Sequence, residues 1–200
     1  MRLALLCYNF VYMSEQKQAV ITFLNHYLSI ATLLGFVVCI IWLFGIVFFL
    51  NAKKEVRLFS VIAKYALPLG FFSTFFSTLM SLYYSDYLGV LPCGLCWFQR
   101  VFIYPQVFLF ALAWYRKDLK IFLYSTVLSL VGIIIATYHE YLQLGYSELV
   151  PCPTIASTID CAKPTFIEFG FITFPFMAFV LFAFLILLSL TVNNFAKHHN

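Results

Sequence analysis

The stretch "LPCGLCWFQR", Leu91–Arg100, places two cysteines three positions apart and follows them with an aromatic pair and an arginine. The 200-residue chain around it is 64% hydrophobic and only 10% charged, whereas ordinary soluble domains are about 45–50% apolar and about 25% charged. Such a composition cannot cover a water-facing surface. We therefore expect an integral membrane protein that is surrounded by lipid and has no nucleic-acid partner.

Five stretches of the chain are long and apolar enough to cross a bilayer as helices. A crossing takes about 20 apolar residues, and a helix satisfies its own backbone hydrogen bonds in lipid. The stretches are Leu28–Leu50, Ile62–Tyr84, Trp97–Trp114, Ile121–Tyr138 and Phe169–Val192. We therefore predict an all-α fold, with local kinks at Pro68, Pro105 and Pro175.

The lysines and arginines beside these spans predict the orientation, because cytoplasmic loops carry the excess of both. They flank the first and third connections and the C-terminal tail at 193–200: Lys53, Lys54, Arg57, Lys64, Arg116, Lys117, Lys120 and Lys197. We therefore predict an N-terminus outside and a C-terminus inside. The segment Asp86–Cys96 and the loop His139–Glu168 then face the extracytoplasmic space.

Four of the six cysteines fall on this outer side, where disulfides persist: Cys93, Cys96, Cys152 and Cys161. The other two are Cys7 and Cys39. Cys39 lies in the middle of the first span, and we interpret it as a small, inert hydrophobic residue.

The pair Cys93 and Cys96 is typical of redox chemistry. At the start of a helix the macrodipole favours the thiolate, which is the reactive form. Arg100 follows Cys96 by one helical turn on the same face, so its charge would stabilise a Cys96 thiolate or an anionic acceptor beside it. Arg100 also lies on the side that basic residues avoid, which favours a functional role over snorkelling.

Two interpretations without redox chemistry compete with the redox one. A four-cysteine zinc site is disfavoured because eight residues separate Cys152 from Cys161, so we expect no metal. Two structural disulfides remain an alternative. A disulfide between Cys93 and Cys96 would, however, close a very short loop and so stabilise the fold only slightly. The pairing stays open, since four cysteines allow three pairings; a Cys93–Cys161 cross-link is one conceivable intermediate.

The string "PCGLCWFQR" followed by "YPQ", the second cysteine pair, and "FGFITFPFMAFVLF" in the last span resemble the disulfide bond formation protein B (DsbB) family, in its shorter-loop BdbC branch. The resemblance covers about residues 62–192. It implies a four-helix bundle in the bacterial inner (cytoplasmic) membrane, to which this chain adds an N-terminal tail at 1–27 and one additional transmembrane helix at 28–50. Met13 followed by "SEQKQ" resembles a natural start, so we expect residues 1–12 to be a mis-assigned extension.

The resemblance also implies a function. Members of the family reoxidise a soluble thioredoxin-fold dithiol oxidase of the DsbA type and pass the electrons to a membrane quinone, either ubiquinone or menaquinone. Cys152 and Cys161 would meet the partner, with the mixed disulfide on Cys152. The eight-residue spacing leaves little room for a large partner-docking helix between them.

On the membrane side, the resemblance implies that Cys93 and Cys96 face the quinone. Cys96 would be the thiolate that reacts with the ring, and Arg100 the cation that holds it. His139 falls where the family can place a quinone-contacting residue, although an ordinary interfacial histidine is the alternative.

Two functions from other classes remain open. A membrane thiol relay that runs in the reductive direction typically places cysteines where both faces can reach them, whereas here all four lie on one side. A non-enzymatic scaffold stapled by two disulfides would show no effect of reducing equivalents on a bound cofactor.

Overall fold

The computed structural model describes residues 2–52, 57–149, 151–152 and 160–199, and these residues are mainly helical. The helices are α1 (Arg2–Ala52), α2 (Arg57–Lys64), α3 (Ala66–Leu82, continued by a π-helical turn at Tyr83–Tyr87), α4 (Gly94–Arg116), α5 (Ile121–Gln143) and α6 (Phe174–His199). Five of them contain apolar segments long enough to cross a membrane: Glu15–Phe48, Ala66–Tyr87, Gly94–Arg116, Ile121–Gln143 and Phe174–Asn194. The predicted all-α membrane bundle with an additional N-terminal helix is confirmed.

Helices α3 to α6 enclose the apolar core, and α1 packs on the outside of α6. Four side chains at the centre of one core cluster are completely buried, namely Phe110, Phe122, Leu185 and Leu188. The aromatic rings of Phe110 on α4 and Phe122 on α5 meet edge to face with centroids 5.6 Å apart, a preferred arrangement for aromatic pairs. Large side chains from several helices therefore hold the bundle together.

Buried polar groups cross-link the helices within the apolar region. The side-chain oxygen of Gln106 on α4 accepts a 2.6 Å hydrogen bond from Ser125 on α5, and its nitrogen donates to the carbonyl of Phe102. In lipid a polar group has no water to bond with, so such groups must find partners inside the protein. The bond between Ser125 and Gln106 fixes the register of α4 against α5, and the bond to Phe102 satisfies the amide nitrogen within α4.

The first helix is longer than the predicted span. It begins at Arg2 rather than near Leu28, so residues 2–27 continue the same helix instead of forming an irregular tail. Cys39 is 7% exposed and packs against Leu187 of α6, in keeping with an inert apolar role. Met1 and Lys53 to Val56 lie outside the described residues.

The prolines affect the helices in three different ways. Pro68 has no N–H to donate to the carbonyl of Lys64, and the chain turns at Tyr65 between α2 and α3, so a break replaces the predicted kink. Pro105 lies inside an unbroken α4. The kink predicted at Pro175 is wrong, because Pro175 is in the first turn of α6, where a missing N–H costs nothing.

The last predicted span differs from the observed helix at both of its ends. The last span starts at Phe174 instead of Phe169, because a turn from Glu168 to Ile172 precedes it, with Gly170 at a φ of 81°. Helix α6 also continues through the predicted tail as far as His199.

Four cysteines lie at the same end of the bundle as the first half of α1, namely Cys93, Cys96, Cys152 and Cys161. Lys17 donates a 2.9 Å hydrogen bond to the carbonyl of Tyr87, just before the Cys93 loop. Farther along α1, His26 lies 3.8 Å from the carboxylate of Glu168. The connection between α4 and α5, at Lys117, is at the opposite end, because α4 spans the bundle.

Candidate active site

The candidate site is built on the N-terminus of α4. Cys93 is the N-cap residue, with an extended backbone (φ −76°, ψ 175°), and its Sγ accepts the backbone N–H of Cys96 at 3.4 Å. An N-cap side chain that accepts such a bond satisfies one of the free donors of the first turn. The helix therefore begins at the cysteine pair, as the sequence indicated, and aims its N-terminal dipole at Cys93.

The two thiols of the pair lie within hydrogen-bonding distance. Their Sγ atoms are 3.1 Å apart, and both cysteines are free. The hydrogen bond with Cys96 holds the pKa of Cys93 well below the usual range of a thiol, and His139 adds to this against the opposing effect of burial. These contacts favour a thiolate on Cys93, whereas the family resemblance assigns the thiolate that reacts with the quinone to Cys96.

His139 lies in the last turns of α5 rather than in the loop that follows, since α5 extends to Gln143. Its side chain is completely buried. The Nε2 atom lies 3.4 Å from the Sγ of Cys93, and the Nδ1 atom lies 3.2 Å from the side-chain nitrogen of Gln99. His139 is therefore part of the thiol site and not a histidine exposed at the headgroups.

The contacts of His139 indicate one arrangement of protons. When the Gln99 amide donates to Nδ1, a neutral ring carries its proton on Nε2 and donates it towards Cys93. Gln143 lies 3.1 Å from the same Nε2, and its amide oxygen can accept there because amide nitrogen and oxygen are interchangeable in such assignments. The ring is thus oriented by one glutamine on each side.

Arg100 is held against α3. It is 9% exposed and donates a 3.1 Å hydrogen bond to the carbonyl of Ser81. Its guanidinium lies over the ring of Trp97, 5.1 Å from the centroid, within the range of a cation–π contact. Tyr104 donates to the hydroxyl of the same Ser81. The charge is therefore fixed inside the bundle, one turn beyond Cys96, and does not snorkel to the headgroups.

The second cysteine pair forms a disulfide beside the first. Cys152 and Cys161 are bonded, with Cα atoms 6.1 Å apart. Cys161 is completely buried and belongs to one cluster with Cys93, Leu95 and Leu142, whereas Cys152 is partly buried at its margin. The two cysteine pairs therefore meet at one place. The expectations about the segment between Cys152 and Asp160 fall on residues 153–159, outside the described part of the chain.

Two kinds of ligand fit the residues present. A quinone carbonyl needs hydrogen-bond donors, and Arg100 and the amide groups around His139 supply them beside the thiols. The ring of Trp97 on α4 is 42% exposed and offers a flat surface on which a quinone ring can pack.

The described residues also contain one group of three potential metal ligands. These are Cys93, Cys96 and His139, and their ligand atoms lie within 4.8 Å of one another.

Three participants were missed in the sequence, namely Gln99, Gln143 and Ser81. Gln143 follows His139 by four positions, which is one helical turn, so the spacing could have suggested this pair once α5 was extended. Ser81 binds Arg100 through its backbone carbonyl. Every residue type has such a carbonyl, so the sequence could not have indicated this contact.

Comparison with known proteins agrees with this arrangement. The family described as "Disulfide bond formation protein DsbB" matches residues 63–192. The "SPbeta prophage-derived disulfide bond formation protein B" of Bacillus subtilis (strain 168) is 42% identical over 102 residues, covering 51% of this chain and 68% of the relative. The "Probable disulfide formation protein C 2" of Bacillus anthracis is 31% identical over 142 residues, covering 70% of this chain and 99% of the relative.

No solved structure matches the chain. The family match nevertheless covers well over half of its length, and the matched region contains both cysteine pairs, Arg100 and His139. The chain belongs to the disulfide bond formation protein B family and is a multi-pass, disulfide-forming membrane oxidoreductase.

Proposed function

We propose that this protein reoxidises an extracytoplasmic, DsbA-like dithiol protein of the thioredoxin fold and passes the electrons to a membrane quinone. It would do so in the bacterial inner membrane, with its N-terminus outside, its C-terminus inside and its four outer cysteines facing the extracytoplasmic space. The observation that carries the proposal is the burial of Cys161 and Cys93 in one cluster. This cluster brings the Cys152–Cys161 disulfide next to the Cys93–Cys96 thiol pair.

The unequal burial of the second pair supports Cys152 as the point of entry. Cys161 is completely buried, so a soluble partner cannot reach its sulfur, whereas Cys152 is partly exposed. A partner thiolate would attack the Sγ of Cys152, break the Cys152–Cys161 bond and leave Cys161 as a thiolate. The second thiol of the partner then resolves the mixed disulfide, and the partner departs oxidised.

The transfer between the two pairs would start from an oxidised Cys93–Cys96 pair. The Cys161 thiolate attacks the Sγ of Cys93, a Cys93–Cys161 bond forms, and Cys96 leaves with the electron pair. Attack by Cys152 on Cys161 restores the Cys152–Cys161 disulfide, called the outer disulfide below, and frees Cys93. The net result is that two electrons have moved from the partner to Cys93 and Cys96, called the inner pair below. A stabilised Cys93 thiolate is a good leaving group in this last exchange.

Two polar residues beside the inner pair, His139 and Arg100, would assist proton and electron transfer in this scheme. His139 presents Nε2 to Cys93 at 3.4 Å, so it can hold the proton that neutralises a leaving thiolate. Arg100 contributes a permanent positive charge one turn beyond Cys96, and its bond to Ser81 keeps that charge in place. A bound quinone would supply the oxidant, taking up two electrons and two protons and leaving as the quinol.

The test is turnover of the purified protein with a reduced thioredoxin-fold partner and a soluble quinone. We expect one quinone to be consumed for each partner dithiol, and Cys96→Ser to abolish consumption. Arg100→Gln should slow quinone reduction by about tenfold or more, the cost expected for losing one charged hydrogen bond. It should leave the exchange between partner and outer disulfide unchanged.

Arg116→Gln, the same substitution at the far and exposed end of α4, is the matched control and should retain full turnover. Absence of quinone consumption by the unmodified protein would refute the proposal. Equal loss of both half-reactions in Arg100→Gln would show instead that the arginine has only a structural role.

A further inference from the structure

Three soft ligand atoms converge at the N-terminus of α4. The two Sγ atoms are 3.1 Å apart, and the Nε2 of His139 is 3.4 Å from that of Cys93. Tetrahedral zinc, with Zn–S of about 2.3 Å and Zn–N of about 2.0–2.1 Å, separates its ligand atoms by about 3.5–3.8 Å. To accept the ion, the two sulfur atoms would separate by about 0.7 Å, and the Cys93–His139 pair by about 0.2 Å. The third pair, Cys96 and His139, lies within 4.8 Å and would close by at most about 1.3 Å.

The surroundings of His139 suit a ligand to zinc. A metal-bound histidine normally donates its other ring N–H to a neighbouring acceptor, which fixes the ring. The amide of Gln99 lies 3.2 Å from Nδ1 and can turn its oxygen towards that N–H. This frees the Nε2 lone pair for the metal. The amide of Gln143 lies 3.1 Å from the same Nε2 and would have to turn away from it when the ion binds.

The ligand set selects a thiophilic ion. Thiolate and imidazole suit zinc, whereas magnesium and calcium prefer oxygen ligands. The nearest acid along the chain, Glu140, is engaged with the hydroxyl of Thr173. Two thiolates balance the two charges of Zn²⁺, so the occupied site is neutral and does not repel the buried cation of Arg100.

We propose that the reduced Cys93–Cys96 pair and His139 form a zinc site that exists only in the dithiol state. Binding moves no electrons: Zn²⁺ enters, two Zn–S bonds form, and each thiol that was protonated releases its proton to solvent. Formation of the Cys93–Cys96 disulfide removes two of the three ligands and expels the ion. Zinc and oxidation therefore exclude each other at this site.

A consequence for activity rests on the proposed function. While zinc is bound, neither sulfur is available for exchange, so the ion is a reversible inhibitor of turnover that a chelator removes. Zinc binding itself is measured without partner or quinone. Failure of the redox proposal would therefore leave the zinc site standing, and failure of zinc binding would leave the redox proposal standing.

The experiment is a titration of the reduced full chain in detergent with Co²⁺, followed by the visible absorption of tetrahedral cobalt and by displacement with Zn²⁺. Cys152→Ser/Cys161→Ser protein serves as the background, so that the outer thiols cannot bind. We expect one ion per chain, and none after oxidation of the inner pair. Gln99→Leu should weaken binding by about 10–100-fold, as expected when the partner of a ligating histidine is lost.

His139→Gln should weaken binding further, whereas Cys39→Ser, which alters a buried thiol on α1 away from the site, should not change it. Retention of the ion by oxidised protein would overturn the proposal and needs no variant to fold. Unchanged affinity in both His139→Gln and Gln99→Leu would also overturn it, because the ion would then bind elsewhere.

Discussion

Gly132 on α5 lies directly against the ring of Phe182 on α6. A Cβ added at this position would lie 2.3 Å from the Cζ atom of Phe182, whose ring is completely buried. Because the ring has no free space to move into, we expect Gly132→Ala to lower the free energy of unfolding by about 1–3 kcal/mol, the usual cost of overpacking. Thermal unfolding in detergent, followed by circular dichroism, measures the loss.

Gly35 on α1 supplies the matched control for this substitution. A Cβ there would lie 3.6 Å from the nearest atom, a methyl group of Val180, which is an ordinary contact. Alanine also favours a helix over glycine by about 0.5–1 kcal/mol, so Gly35→Ala should be neutral or stabilising. Equal melting temperatures for the two variants would contradict the close packing at Gly132.

His139 illustrates how much of the site a single residue type can reveal. A histidine near the end of an apolar stretch was recognisable as a candidate in the sequence, but its burial was not. Gln99, one of the two glutamines that orient it, carries no pattern of its own, because its role depends on α4 and α5 meeting at this end, which is a tertiary contact. Gln143 lies one turn from His139 on the same helix, so its contact depends only on the extension of α5 beyond the predicted span.

At the scale of the helices, α1 lies entirely outside the family match at 63–192 but contacts the segments that flank the site. Asn25 on α1 accepts a 2.7 Å hydrogen bond from the hydroxyl of Tyr84, in the π-helical turn that leads to Cys93. Their side chains are 6% and 4% exposed. The additional helix therefore braces the end of α3 that leads to Cys93.

Removing the acceptor at position 25 should destabilise the protein. In Asn25→Ala the hydroxyl of Tyr84 would be left buried without this partner, which typically costs about 1–3 kcal/mol. Thr22→Ala is the matched control on the same helix, since the exposed hydroxyl of Thr22 bonds only to the carbonyl of Gln18 one turn away. Unfolding by denaturant in detergent should separate the two variants.

The same bond can be isolated by adding Tyr84→Phe. If the Asn25–Tyr84 contact is the cause, the double variant should lose less than the sum of the two single losses. Strict additivity would mean that the two residues act independently, and the bracing role of α1 would have to rest on other contacts.

The helices also show where sequence patterns succeed and where they stop. Hydrophobicity predicted five spans because lipid demands about 20 apolar residues for each crossing. It missed the end of α5, because the polar residues His139 and Gln143 are buried between helices and not exposed to water. It placed the start of α6 too early, because the apolar stretch from Phe169 begins with a turn. It missed the break at Tyr65, because a proline can either bend or interrupt a helix according to its neighbours.

For the whole molecule, the contacts place both cysteine pairs and the start of the α1 span at one end, with the α4–α5 connection at the other. The matched region holds four crossing helices, an even number, so both of its ends lie on the same side of the membrane. The additional crossing of α1 is what moves the N-terminus to the opposite side. Only the distribution of basic residues says which side is the cytoplasm.

Reporter insertions in a bacterial host test this orientation. Alkaline phosphatase, which folds only outside the cytoplasm, should be active when inserted after Gly145, where the chain turns at the outer end of α5 with a φ of 90°. It should be inactive after Lys117, in the connection between α4 and α5, and at the C-terminus. Removing residues 1–56 should leave the C-terminal result unchanged, because four crossings remain. Activity at Lys117 with none at Gly145 would invert the topology and move the cysteines into the reducing cytoplasm, where their proposed role could not operate.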